Sequence, residues 1–208
     1  ARGRERPVMP IAIDLQGAQS SGNRTRGIGR YSSSLALAMA RRARSHEIVL
    51  ALNGRFPDAV DEIRSVFGAV VEPQNFRVWH PPGHSAQASP GSLRAREKLN
   101  EAFLASLQPD VVHVSSLFEG PGDAAITSIG NFVRQPTAVT LYDLIPLINA
   151  RSYLADDVAR AWYMRKIDSL RRADMWLAIS ESSRREGMDH LGLPADRCIY
   201  ISTAAYVH

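Results

Sequence analysis

Ala138-Val139-Thr140-Leu141-Tyr142-Asp143-Leu144-Ile145-Pro146-Leu147 runs from an apolar strand core into an ionisable pair and then a rigid turn. Ala138–Leu141 has the length and β-branched content of a buried strand, and Pro146 takes the chain out of the sheet. Downstream, Asp156–Ala173 reads as a helix. Asp156 and Asp157 stand at its start and Arg171 and Arg172 at its end, as the macrodipole prefers. Met175–Ile179 is the next strand, followed by a helix from Ser182 to His190 and a last strand, Cys198–Ser202.

The same alternation extends upstream. Val8–Leu15 is a short apolar strand. Ile28, Ser32, Leu35 and Met39 fall on one face of a helix over Gly29–Arg44, whose last turn carries Arg41, Arg42 and Arg44. Glu47–Leu52 is a strand closed by the turn signal Asn53-Gly54, Asp58–Phe67 a helix and Phe76–His80 a third strand. Pro81–Gly91 is a loop rich in Pro, Gly and Ser. Ser92–Leu107 is helical, with Leu99, Ala102, Phe103 and Leu107 expected inward. Val111–Val114 is a strand core, and residues 117–131 mix turn residues with a short helix. Strands separated by helices imply βαβ crossovers. The expected fold is therefore α/β, a Rossmann-like parallel sheet with helices on both faces.

Composition narrows the function. With 45% hydrophobic and 22% charged among 208 residues, the chain can build a sizeable core. The lone Cys198 excludes an internal disulfide and, in its apolar run, reads as a buried structural thiol. No apolar run approaches the roughly 18–20 residues of a membrane span. The net charge of +4 is spread along the chain without a recognition motif, so nucleic acid is not an expected partner. Positive charge at helix ends suits either solvent or the phosphates of a ligand or membrane surface. His46, His80, His84, His113 and His190 lack metal-ligand spacing, and no nucleophile–base triad can be assembled; no metal site and no catalytic residue is assigned.

In a parallel sheet, ligands gather at the carboxyl ends of the strands. That rule selects Asp14, Gln16 and Gly17 after the first strand, and Ser115 and Ser116 after Val111–Val114. It also selects Tyr142 and Asp143, and Ser180 and Glu181. An Asp at position 143 also suits a loop cap, and Ser180-Glu181-Ser182-Ser183 suits a helix N-cap. Gly27-Ile28-Gly29 opens a helix, where free N–H groups and the dipole favour an anion, with Arg24, Arg26 and Arg30 at hand. A tight loop-to-helix turn with solvated arginines is the plainer alternative. The dinucleotide fingerprint is not met. Ser32 stands where its third glycine belongs, the glycines come a dozen residues after the strand, and no acidic residue ends the second strand.

Arg26–Tyr31, Asp143–Leu147 and Ala173–Arg185, with Leu191-Gly192-Leu193-Pro194 ahead of the last strand, resemble the N-terminal half of a GT-B glycosyltransferase, in particular the retaining enzymes of family four. Ile13-Asp14-Leu15-Gln16-Gly17-Ala18-Gln19 is similar to bacterial members that build lipopolysaccharide or capsular glycans, often mannosyl- or related transferases. The resemblance implies a domain over residues 9–205, with 206–208 as the start of an interdomain linker or a truncation point; the basic, polar residues 1–8 read as a tail or a junction with an upstream module, with Met9 as a candidate native start. A donor-binding C-terminal domain is expected beyond, so this piece alone should be inactive. Gly27, Gly29, Arg26 and Arg30 would approach the donor diphosphate. Gln16, Gly17, Ser115, Ser116, Tyr142, Asp143, Ser180 and Glu181 would line the acceptor cleft. Arg26 replaces a glycine common in that loop. Tyr142 stands where many relatives have His, so no histidine role transfers.

The implied substrates are a GDP- or UDP-linked nucleotide sugar and a glycan or lipid-linked oligosaccharide, with no further cofactor. The implied location is the cytoplasm, at the inner membrane face if the positive charge meets anionic lipid. A non-catalytic Rossmann-type carbohydrate or nucleotide-binding module is the alternative.

Overall fold

The computed structural model describes residues 8–44, 46–82, 90–120 and 122–201. Seven strands form one sheet: β1 (Pro10–Asp14), β2 (Glu47–Asn53), β3 (Phe76–Trp79), β4 (Val111–Val114), β5 (Thr137–Leu141), β6 (Met175–Ala178) and β7 (Cys198–Tyr200). Their order is β3-β2-β1-β4-β5-β6-β7 and every pairing is parallel. The direction of winding reverses between β1 and β4, where Ile13 pairs with His113 and Asp14 with Val114. In doubly wound sheets ligands gather at the carboxyl edge beside such a reversal.

Residues alternate between the faces of the sheet. Ile13, Leu15, Leu50 and Leu52 pack against Ala36 and Leu37 of α1 (Gly27–Arg42) and Val60, Ile63 and Phe67 of α2 (Pro57–Phe67). Ala51, Val112, Val114, Val139, Leu141, Trp176 and Cys198 belong to the other core. It is closed by Leu104 of α3 (Pro90–Ser106), Ile167 and Leu170 of α6 (Asp157–Leu170) and Leu191 of α7 (Glu181–Leu191). Two four-residue turns, α4 (Ile145–Ile148) and α5 (Ala150–Tyr153), carry the chain from β5 to α6. Asp156 caps α6, its Oδ2 accepting from Ala159 N at 2.7 Å. Cys198 is a fully buried free thiol, its pKa pushed up by burial.

Three expectations need correction. The first helix starts at Gly27, two residues early, because the chain turns helical directly after Arg26. The third helix meets its expected phase at Phe103 and Leu107, which pack against the second core, and departs from it at Leu99 and Ala102. Leu99 is 45% exposed and Ala102 is exposed, while Arg96, Glu97, Asn100 and Glu101 face inward beside Leu104. A polar face goes inward because its groups are bonded there: Glu101 accepts from Ser128 Oγ (2.6 Å) and from the N–H groups of Asn131 (3.0 Å), Phe132 (2.7 Å) and Val133 (2.8 Å). Those bonds also replace the short helix expected within 117–131, and the described part of that segment is irregular. The tail before Val8, residues 83–89 of the expected loop with His84, and the 206–208 linker lie outside the described residues; so does Ser202.

Candidate active site

Asp14 ends β1 and is buried, and Gln16 turns back onto it. Asp14 Oδ1 accepts from Gln16 N (3.2 Å) and Gln16 Nε2 (3.1 Å), and Oδ2 from Asn100 Nδ2 (3.5 Å). Burial pushes the Asp14 pKa up to about 6, and the bonds from Gln16 and Asn100 pull it part of the way back. Gln16 is 1% exposed. Its Nε2 also donates to Ile126 O (2.7 Å), and its Oε1 accepts from Asn53 Nδ2 and Ile126 N, both at 2.9 Å. One side chain therefore ties the ends of β1 and β2 to the segment after β4.

The loop into α1 is held by two carboxylates. Asp123 Oδ2 accepts from Ser20 Oγ (2.6 Å) and Ser21 N (2.9 Å). Glu119 accepts from Asn23 Nδ2 (2.9 Å to each oxygen) and Ser116 Oγ (2.7 Å). The helix then packs directly on that loop. A Cβ on Gly29 would stand 2.3 Å from Asn23 O, a position that only glycine fits. Gly27 has open space around it, Arg26 and Gly27 are exposed, and no side chain caps α1. The Gly29 N–H donates to Asn23 O at 3.2 Å, which leaves the N–H groups of Gly27 and Ile28 and the positive end of the dipole at the helix start. Arg24 pairs with Glu62. Arg30 lines a groove of about 590 Å³ between α1 and α2, with Arg24, Tyr31 and Glu62.

Several expected cleft residues form the floor beneath this loop. A Cβ on Gly17 would lie 2.7 Å from both Ser116 Cβ and Ser32 Oγ. The Tyr142 hydroxyl is 2.9 Å from Ser32 Oγ and donates toward Ile28 O or Ser115 O, each at 3.3 Å. Burial raises the Tyr142 pKa well above its ordinary value, so this phenol stays protonated and locks β5 to α1. Gln16, Gly17, Ser115 and Ser116, expected on the cleft wall, are thus buried supports. Asp143 is exposed and caps its own turn through Ile145 N (3.1 Å). Ser180 caps α7 by accepting from Ser183 N (3.0 Å), and Glu181 pairs with Arg184 (3.3 Å) and Arg185 (3.5 Å). Ser180 and Glu181 share the carboxyl edge with α1, but among the described residues no hydrogen bond or ion pair joins them to the loop of Arg26.

On the opposite face of the sheet, α3, the segment around 119–127 and α6 enclose a chamber of about 630 Å³. Sequence reasoning missed it. Tyr153, Trp162 and Tyr163 give it an aromatic side, and Arg96 and Lys166 stand among Glu97, Glu119, Asp123 and Asp156 in its charged lining. Lys166 donates to Thr127 O and to Thr127 Oγ1 (2.8 Å), and its ammonium lies 5.8 Å from the Trp162 ring centre. Burial lowers the Lys166 pKa to about 8 against the favourable charge of Glu97. The signal available was a stripe of charge at positions 96, 97, 100 and 101, which also fits a solvated helix face. Among the described residues, no three His, Cys, Asp or Glu side chains stand together to hold a metal ion. No helix among them is long and apolar enough to cross a membrane.

The chain is 31% identical over 201 residues to a serotype-specific mannosyltransferase WbdA of Escherichia coli, covering 94% of this chain and 24% of that one. A second WbdA of Escherichia coli is 29% identical over 175 residues, 82% of this chain and 22% of its own length. The chain thus spans about a quarter of the curated relatives it matches. Among solved structures, a UDP-N-acetylglucosamine 2-epimerase superposes with a TM-score of 0.57 at 11% identity, over 95% of this chain and 48% of that one. The UDP-GlcNAc 2-epimerase of Neisseria meningitidis, solved bound to UDP-GlcNAc, gives 0.50 at 13% identity, over 94% and 46%. These two likenesses concern the fold alone. Glycosyltransferase Family 4 matches residues 25–205, and with this doubly wound parallel sheet the chain belongs to that family.

Proposed function

We propose that this domain forms the acceptor side of an enzyme that moves a sugar, mannose in the first instance, from a GDP- or UDP-linked donor to a glycan or lipid-linked acceptor with retention of anomeric configuration. The observation that carries this reading is the start of α1, which no side chain caps, with Gly27 in open space and Arg26 exposed, above the point where the sheet reverses. Backbone N–H groups, the helix dipole and a guanidinium there suit a diphosphate. The family match and the mannosyltransferase relatives support the class of reaction.

In the reaction, the bond from the anomeric carbon to the diphosphate oxygen breaks and a bond to the acceptor hydroxyl oxygen forms on the same face. The acceptor proton passes to the departing phosphate oxygen. Stabilising the charge that grows on that phosphate is the role of the α1 N-terminus and Arg26. Holding the acceptor in line is the role of the cleft. Tyr142 supplies no base, since its phenol is held protonated and turned into α1. No resident cofactor enters this scheme; the nucleotide sugar is a substrate. On this reading the remaining donor contacts would come from a partner domain of the same enzyme. The enzyme would act in the cytoplasm, peripheral to the inner membrane face when its acceptor is lipid-linked.

The test is the full-length gene product assayed over GDP- and UDP-sugars with bacterial glycan and lipid-linked acceptors, the product anomer read by proton NMR. One donor consumed, with its anomeric configuration kept, is the expected result. Donor binding without transfer to any acceptor would favour a binding module, and an inverted product would remove retention.

A further inference from the structure

The chamber between α3 and α6 contains an unanswered charge. Arg96 is 4% exposed and lines the chamber, yet among the described residues its Nε and Nη2 have no hydrogen-bond partner. The carboxylates in the same wall are engaged elsewhere. Glu97 takes Arg165 at 2.5 Å, Glu119 takes Ser116 and Asn23, Asp123 takes Ser20 and Ser21, and Asp156 caps α6. Lys166 is satisfied by Thr127. Burial holds the Arg96 pKa below its ordinary value, and the next contribution comes from a second cation, Arg55. Among the described residues the Arg96 Nε and Nη2 N–H groups are thus open to an acceptor.

A buried guanidinium without acceptors is costly, and native structures rarely leave one so. Its planar fork matches the paired oxygens of a phosphate or carboxylate. The opposite wall has another character. Trp162 is partly exposed and packs edge-on to Phe118, with ring centres 6.4 Å apart, and Tyr153 is 58% exposed beside it. An aromatic wall facing a few placed polar groups is how pockets hold amphipathic small molecules. About 630 Å³ also lies within the range of small-molecule sites.

Resting on the glycosyltransferase reading above, we infer that this chamber is the acceptor site and that the acceptor is an anionic saccharide, its oxyanion gripped by Arg96 and its ring laid against Trp162. Phosphate and carboxylate share the chemistry that Arg96 recognises. Arg96 is then a specificity-determining residue and takes no part in bond making.

The test is calorimetric titration of the full chain, without donor, using four probes: a hexose phosphate, a hexuronate, the neutral methyl hexoside and inorganic phosphate. The wild-type chain should bind one or both anionic sugars at least tenfold more tightly than the neutral hexoside and than inorganic phosphate. The preferred anion then names the acceptor group. Arg96→Gln should abolish the preference while leaving neutral hexoside binding within twofold, and Arg96→Lys should keep part of it. Trp162→Leu should weaken all three sugars and leave inorganic phosphate unchanged. Equal affinity for neutral and anionic sugars would overturn the inference, as would inorganic phosphate binding as tightly as the sugar phosphate. Should Arg96→Gln fail to fold, by circular dichroism, an unchanged preference in Arg96→Lys with unchanged Trp162→Leu binding would overturn it equally. These results do not depend on turnover. Loss of the anion preference leaves transfer to neutral acceptors possible, and absence of transfer leaves the binding preference standing.

Discussion

The Asn23 side-chain amide reaches both carboxylate oxygens of Glu119 at 2.9 Å, bridging 96 residues of sequence. This contact holds the loop that delivers the chain into α1, and with it the direction in which the first-turn N–H groups point. Glu119→Gln sets an amide against the Asn23 amide and frees the loop. GDP or UDP affinity of the full-length gene product, read by titration, should fall between about threefold and tenfold, a loss of roughly 1 kcal/mol of the kind expected for a net hydrogen bond. Unchanged affinity would detach the loop from the donor site.

Gly27 and Gly29 are two residues apart and should respond oppositely to one methyl group. At Gly29 the new Cβ meets Asn23 O at 2.3 Å, so Gly29→Ala should cost about 1–3 kcal/mol in urea unfolding. At Gly27 nothing lies within 4 Å, and Gly27→Ala should be neutral or stabilise by less than about 1 kcal/mol. Equal effects at both sites would contradict the packing of α1 on its loop.

Glu101 answers one hydroxyl and three backbone N–H groups of the segment 128–133. Glu101→Ala orphans them all and should destabilise by about 3 kcal/mol, with Glu101→Gln intermediate because it keeps one acceptor oxygen. Hydrogen exchange at Phe132 and Val133 should accelerate in the alanine variant. Protection as strong as in the wild type would mean that other groups hold the segment.

Two buried groups in adjacent strands give opposing pH dependence. Burial lowers the His113 pKa to about 4, so its contribution is present above the unfolded value near 6.5 and is lost as pH falls toward 4. Burial raises the Asp14 pKa to about 6, so its contribution is present below the unfolded value of 3.8 and is lost as pH rises to 6. His113→Gln can keep a bond to Thr140, whose Oγ1 lies 3.0 Å from the imidazole Nε2. Removing the histidine term should leave the variant less sensitive to acid than the wild type between pH 6.5 and 4.5, by about 2 kcal/mol. Asp14→Asn should shift the slope the other way. Urea melts at pH 4.5, 5.5 and 6.5 read both, and slopes unchanged from the wild type would contradict the burial of these charges.

The sheet was legible because its strands are short apolar runs between helical patterns, a signal that survives without partners. Ala138–Leu141 and Val111–Val114 stand almost where periodicity sets them. In α3 the inward setting of Phe103 and Leu107 was legible; that of its polar stripe was not. Arg96, Glu97, Asn100 and Glu101 look like a solvated stripe until the residues 119–133 that receive them are in place. For the same reason, Gln16 and Ser115 were picked correctly as strand-end residues, yet their burial depends on loops that arrive from about 100 residues away, as Gln16 does on Ile126 across 110 residues. Tyr142 was visible as an ionisable residue at a strand end, while the direction of its hydroxyl is set by Ser32.

The central claim is that the open start of α1 receives the donor diphosphate. The most direct measurement is kcat/KM of the full-length gene product for its nucleotide sugar, compared between wild type and the Arg26→Ala and Arg30→Ala double variant, with Tm recorded for both. The account predicts a fall of at least tenfold, about 1.4 kcal/mol of transition-state stabilisation, at unchanged Tm. Wild-type kcat/KM in a folded double variant would contradict it.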